Sequence, residues 1–172
     1  MNSEIFLIDT NSLITPYLRY YPFDFAPGFW NQLEANIEKG SVAVLDIVKS
    51  EVLKGNDKLQ KWMEEVKIAN YIDHRQQEVL EKYSLVLQNI QNNPCYKPSA
   101  LSEWSRLEVA DPWIIAAAAV YGYTIITFEV SVSNLNDRNP CKFAKIPDVA
   151  KEFGVCTQDL FYMMRKLNFR LC

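Results

Sequence analysis

Short unbroken apolar runs alternate along this chain with longer stretches in which apolar residues recur every three or four positions. The runs Ile5 to Ile8, Ser41 to Leu45 and Tyr123 to Phe128 lack the polar alternation of a half-exposed strand. They read as strands of a parallel sheet covered on both faces. Between them the spacing is helical. Phe29, Leu33 and Ile37 mark a helix from Gly28 to Lys39 that Gly40 stops. Leu59, Met63 and Val66 mark Asp57 to Ala69, and Val79, Tyr83, Val86, Leu87 and Ile90 mark Gln76 to Ile90. A shorter helix carries Leu101, Trp104 and Leu107 after a Ser99 cap, and a last one carries Leu160, Phe161, Met164 and Leu167 after a Thr157 cap.

Boundary signals sharpen this outline. Asp9-Thr10-Asn11-Ser12 closes the first strand with cap-forming residues, and Asp46 is placed to cap the helix that contains Glu51. Asp111-Pro112 starts the helix Trp113 to Tyr121, because Asp accepts from free amides and Pro suits a first-turn position. Gly122 closes it, and the Ala116 to Ala119 run allows close approach to the sheet. Ser131 to Asn139 reads as a loop and Lys142 to Ile146 as a short edge strand. The alternation predicts an α/β fold: a three-layer α/β/α sandwich around a central parallel sheet, with a helical insertion between Glu51 and Asp111. Residues 1–172 form a single domain, since no linker, repeat or low-complexity tract interrupts them.

Four acidic residues, Asp9, Glu51, Asp111 and Glu129, stand where the chain passes from strand to helix or leaves a strand. Right-handed crossovers would bring all four to one end of the sheet, where open α/β proteins place their sites. Two carboxylates about 4 Å apart repel by roughly 4 kcal/mol at an effective dielectric near 20, so the cluster calls for a cation. Oxygen ligands without His or Cys favour Mg²⁺ or Mn²⁺, the ions of phosphoryl transfer. Asp46 competes with Glu51 for the second position, and Asp137 is a substitute for Glu129.

Composition narrows the function classes. A net charge of −3 and a pI near 5.3 argue against nucleic-acid binding by bulk positive charge but leave a nuclease open. Lys49, Lys54, Lys58, Lys61, Arg106, Arg138, Lys142 and Lys145 flank the acidic segments in sequence and read as a solvated face that could steer a phosphate backbone. Cys95, Cys141, Cys156 and Cys172 have no metal-binding spacing and read as reduced thiols, which with one His makes zinc a poor fit. His74 reads as a solvated helix start, and the Trp and Tyr residues as packing. No apolar run reaches bilayer length and a buried-type strand opens the chain, so a cytoplasmic protein with no membrane contact is expected.

Four segments in order, Ile8-Asp9-Thr10-Asn11-Ser12-Leu13, Val44-Leu45 leading to Glu51, Ala110-Asp111-Pro112-Trp113-Ile114-Ile115-Ala116 and Ile126-Thr127-Phe128-Glu129, resemble the PIN domain of VapBC-type toxins. That resemblance implies a PIN-like metal-dependent ribonuclease with Asp9, Glu51, Asp111 and Glu129 as ligands. Thr10, Asn11 and Thr127 would be their hydrogen-bonding support. It also implies an RNA substrate, a cognate antitoxin protein and a homodimer. One departure stands out: the last acid of the family is more often Asp after a short hydroxyl residue, whereas here Phe128 separates Thr127 from a longer Glu129. Two rival readings remain. One is a PIN-type nuclease acting on DNA or structured RNA. The other is a non-catalytic α/β phosphate-binding module, which the lack of a Gly-rich phosphate loop disfavours.

Overall fold

The computed structural model describes residues 3–171. Five strands form one sheet: β1 (Phe6–Ile8), β2 (Val42–Leu45), β3 (Tyr71–Ile72), β4 (Thr124–Ile126) and β5 (Thr157–Gln158), in the order β3-β2-β1-β4-β5. Every pairing is parallel, with Leu7 opposite Ala43 on one side and opposite Ile125 on the other. Residues of β1, β2 and β4 are almost all sealed from solvent, which is why their sequences are unbroken apolar runs.

The chain winds from β1 outward through β2 to β3, then crosses back to β4 on the far side of β1. Helices α1 (Asn11–Thr15), α2 (Pro27–Lys39), α3 (Asp46–Leu53) and α4 (Lys58–Glu65) belong to the outward leg. A π-helical turn at Pro16–Tyr20 extends α1. Trp30 of α2 meets Trp62 of α4 at 5.0 Å, and Phe29 meets Phe169 at 5.9 Å, so the segment after the last helix, α9 (Leu160–Lys166), packs on the same layer. The opposite layer holds α5 (Gln77–Asn92), α6 (Pro98–Trp104), α7 (Ala110–Tyr121) and α8 (Ile146–Glu152). There Tyr83 stacks on Trp113 with ring centroids 3.6 Å apart. A parallel sheet between two helical layers is the α/β/α sandwich that the alternation of periods predicts.

Gly40 and Gly122 end α2 and α7 in the left-handed conformation, at φ 86° and 71°, where a side chain would be strained. Ala116 to Ala118 are buried, so α7 lies close over the sheet.

Several local expectations are corrected. Residues 70–75, left outside the helical pair, contain strand β3, which pairs Val44 with Tyr71 and Leu45 with Ile72. Lys142 to Ile146 is not a strand: Ile146 opens α8 with Pro147 in its first turn. The edge strand is β5, so Thr157 pairs with Ile125 and the cap of α9 is Asp159, which accepts from Tyr162 N at 2.7 Å. Ser99 lies inside α6, and its hydroxyl donates to the Lys142 carbonyl. Neither Asp46 nor Asp111 is an N-cap. Leu45 and Val109 hold those positions, so each Asp sits in the first turn of its helix. Cys95, Cys141 and Cys156 are free thiols, and Cys172 lies outside the described residues. No described helix is long and apolar enough to cross a membrane.

Candidate metal centre

The sheet reverses its winding between β1 and β4, and at such a switch point the loops leaving adjacent strands diverge and open a crevice at the carboxyl edge. Asp9 is the residue that leaves β1. Its amide donates to the Ile126 carbonyl at 2.9 Å, which fixes it against the end of β4, and its side chain is only 2% exposed. The Thr10 amide donates to Asp9 Oδ1 at 2.8 Å and the Thr127 hydroxyl donates to Oδ2 at 3.0 Å, one bond to each oxygen. Thr127 in turn accepts from the Glu129 amide at 3.1 Å, so the turn after β4 is tied to the same carboxylate.

Asp111 projects from the first turn of α7 into this crevice. No described residue donates a hydrogen bond to its carboxylate. Burial pushes its pKa up to about 7, and the neighbouring carboxylates of Asp9, Glu129 and Glu51 push the same way while Lys145 opposes them. Asp9 is pushed up to about 6, again first by burial and then by Glu129 and Glu51, against the lowering effect of its bonds to Thr127 and Thr10. The mutual influence of Asp9, Glu51, Asp111 and Glu129 places all four side chains around one crevice.

They are not equally free. The Thr10 hydroxyl donates to Glu51 Oε2. Glu129 reaches across to α8, where Lys145 Nζ lies 2.9 Å from Oε1 and the Ile146 amide donates to Oε2 at 2.7 Å. Its extra methylene is what allows that reach, and with Lys145 the chain supplies one cation of its own. Held by these partners, the outer glutamates stand back, and no three of the four acids bring ligand atoms within 4.8 Å of one another.

Among the supporting residues, Thr10 and Thr127 make the bonds just described, but Asn11 is exposed and donates to none of the acids. The buried Ser12 hydroxyl instead donates to the Ile126 carbonyl at 3.0 Å and locks the ends of β1 and β4 together, a role hidden in sequence by the run of cap-forming residues. Asp137 is exposed on the loop after β4 and makes no hydrogen bond to Asp9, Asp111 or their partners. Of the basic residues, Lys145 joins the acids and Lys54 shares a small cavity with Glu51. Arg106 is spent on Glu103 and Glu108, and Lys49 lies over the Tyr71 ring.

Asp46, Asp73 and His74 form a second group at the ends of β2 and β3, with a candidate ligand atom of each within 4.8 Å of the others. His74 is not a solvated helix start. Its Nδ1 lies 2.6 Å from Asp46 Oδ2, and its ring stands edge-on to Trp113 at 4.8 Å. Asp46 Oδ1 accepts from the Ile47 and His74 amides, and Asp73 is gripped by the Arg75 guanidinium and amide, which hold its pKa down at about 2. The chemistry of the two donor sets differs accordingly. The second group already has the Arg75 cation and its own donors, whereas Asp9 and Asp111 offer largely buried carboxylate oxygens with lone pairs to spare. That is the condition a hard divalent ion satisfies.

Comparison with known proteins adds little chemistry. A crystal structure of VapBC2 from Rickettsia felis, bound to a DNA fragment from their promoter, shares 15% identity with this chain. The match covers 90% of this chain and 98% of that one, with a TM-score of 0.47. No curated protein matches. A family model described as a domain of unknown function, DUF4411, matches residues 6–171, and the chain belongs to that family.

Proposed function

We propose that this chain is a Mg²⁺- or Mn²⁺-dependent endoribonuclease of the PIN type, acting as the toxin of a toxin–antitoxin pair. One observation carries the reading: Asp9 and Asp111 are carboxylates withdrawn from water at the switch point of the sheet, each held above its ordinary pKa. Burying two acids side by side costs stability, and folding alone gives no return for it. Asp9 and Asp111 would hold the ion, with Glu51 and Glu129 completing the cage from either side. When bound, such an ion activates a water for attack on phosphorus and neutralises charge on the leaving oxygen.

The chain's own residues prepare that chemistry. Thr127 and Thr10 fix the rotation of the Asp9 carboxylate through one bond to each oxygen, leaving the remaining lone pairs directed into the crevice. The Thr10 hydroxyl holds Glu51 beside it, where a carboxylate can orient an attacking water. Lys145 stands on Glu129 and offers a cation that can meet a phosphate oxygen there. A nuclease open on one side endangers its host, so an antitoxin covering the crevice belongs to the reading, as does the homodimer the PIN resemblance implies.

The test uses labelled single-stranded RNA with Mn²⁺, with Mn²⁺ plus chelator, and with flapped DNA in place of RNA. Cleavage of RNA that stops with chelator is expected. Cleavage indifferent to chelator would overturn the metal-nuclease reading, and cleavage confined to flapped DNA would move the function to DNA processing.

A further inference from the structure

A groove of about 520 Å³ lies beside the acidic crevice instead of within it. It opens at the carboxyl ends of β4 and β5 and shares Thr127 and Glu129 with the metal centre, so a strand engaged at Asp9 and Asp111 has this groove as its next surface. Three rings line it: Tyr20 from the π-helical turn, Phe128 between Thr127 and Glu129, and Phe161 from α9. Tyr20 is 47% exposed, and Phe128 and Phe161 are half-buried. Its ring stands 6.1 Å from Phe128 at a tilt of 37° and 6.2 Å from Phe161 at 62°, so the trio is not closed into a parallel stack.

We propose that this groove is a stacking subsite for an unpaired nucleobase adjacent to the phosphate at the metal centre, an inference that rests on the nuclease reading above. Charge selects the occupant. The charged residues lining the groove, Glu129 and Asp159, are both carboxylates. Glu129 is already met by Lys145 and the Ile146 amide, so it is Asp159 that disfavours a phosphate here, while a neutral base with amino donors is accepted. Asp159 Oδ1 is spent on the Tyr162 amide, and Oδ2, with no partner among the described residues, can accept from a base edge, as can the neighbouring Gln158 side chain. Aromatic faces accept any base, which is how single strands are held without sequence-specific readout. The volume falls within the roughly 300–1,000 Å³ typical of small-ligand sites. Position adds the last element: Phe128 is covalently flanked by Thr127 and Glu129, so a base stacked on its ring fixes the register of the backbone at Asp9.

The experiment reads binding, so that it is independent of turnover. Wild-type protein, in Ca²⁺ in place of Mg²⁺ to suppress turnover, is titrated with a short single-stranded RNA by fluorescence anisotropy, each base being replaced in turn by an abasic residue. One position, or two adjacent ones, should weaken binding about tenfold when the base is removed. Phe128→Leu and Phe161→Leu in the same background should weaken the intact strand to the same degree and become insensitive to the abasic residue. Tyr20→Leu, at an exposed ring, supplies a variant that folds if the other two do not. Equal losses at every position, or ring variants that bind the intact strand normally, overturn the subsite. So does loss of a protein partner alone with RNA binding untouched. Absence of RNA binding also overturns it. The nuclease reading stands or falls separately, on cleavage by the wild-type chain.

Discussion

Asp46 and Asp73, at the carboxyl ends of β2 and β3, have His74 and Arg75 against them and accept amide hydrogen bonds besides. Asp9 and Asp111, at the same edge of the same sheet, have no cation bonded to them, since Lys145 is held on Glu129. The consequence is visible in proton affinity. Arg75 holds Asp73 down at about 2, whereas burial carries Asp9 up to about 6 and Asp111 to about 7. Closeness alone would rank the compact Asp46, Asp73 and His74 group first, because its candidate ligand atoms lie within 4.8 Å of one another. What separates them is what is left over after the protein's own donors are assigned. The first group is a solved electrostatic problem, and the second is one that folding leaves open.

The sharpest way to break this comparison is to neutralise one acid in each group. Asp111→Asn should lower RNA cleavage in Mn²⁺ by about a thousandfold, because a ligand to the ion is worth several kcal/mol in the transition state. Asp46→Asn should leave the rate within about threefold, since it alters only a pairing outside the crevice. Equal losses in the two variants would abolish the distinction. A second measurement asks the same question without turnover. Saturating Mg²⁺ at about a hundred times its dissociation constant stabilises a chain that binds it by about 2.7 kcal/mol, which corresponds to roughly 5–10 °C in Tm for a domain of this size. Wild type and Asp46→Asn should show that shift and Asp111→Asn should not. A shift retained in Asp111→Asn but lost in Asp46→Asn would transfer the ion to the other group.

The acid pair was legible in sequence because its members stand at ends of elements that the apolar pattern marks clearly. β1 and β4 are covered on both faces, and α7 carries the most apolar stretch of the chain. What the pattern could not show lies at the sheet's margins. β3 and β5 are two residues long, and Tyr71-Ile72 and Thr157-Gln158 carry no apolar run. They are strands because Val44-Leu45 and Ile125-Ile126 offer them a backbone ladder. Misreading that margin had a cost at the site. Reading Lys142 to Ile146 as a strand hides α8, and with it the Lys145 side chain and Ile146 amide that engage Glu129. Asn11 failed for a different reason: the helix begins at that residue, which turns Asn11 outward and the adjacent Ser12 inward.

Acidity offers a third, smaller test. Because Asp9 and Asp111 bind protons more tightly folded than unfolded, the native chain carries the extra protons between about pH 4 and pH 7, and stability falls as pH rises through that window. In chelator, Tm should therefore decline from pH 5 to pH 8. Asp111→Asn should flatten the decline and melt about 5 °C higher than wild type at pH 8. Millimolar Mg²⁺ should flatten it as well, by favouring the ionised carboxylates. A wild-type Tm that climbs over the same range in chelator would mean that the burial of these acids is compensated elsewhere.

On the other side of the comparison the effects are structural and modest. His74→Ala removes the partner of a largely buried Asp46 and an edge contact on Trp113, and should cost about 1–2 kcal/mol by denaturant unfolding with cleavage nearly unchanged. Arg75→Ala should do less. Its guanidinium grips Asp73 through two hydrogen bonds, but both side chains stand in solvent, where water replaces the lost bonds and salt screens the pair. The Tm should not move measurably, and the Mg²⁺ shift should stay at its wild-type size. A changed Mg²⁺ shift in Arg75→Ala would mean that Asp73, once released, competes for the ion. The two acidic groups would then differ only in who holds them, and a single substitution would suffice to exchange their roles.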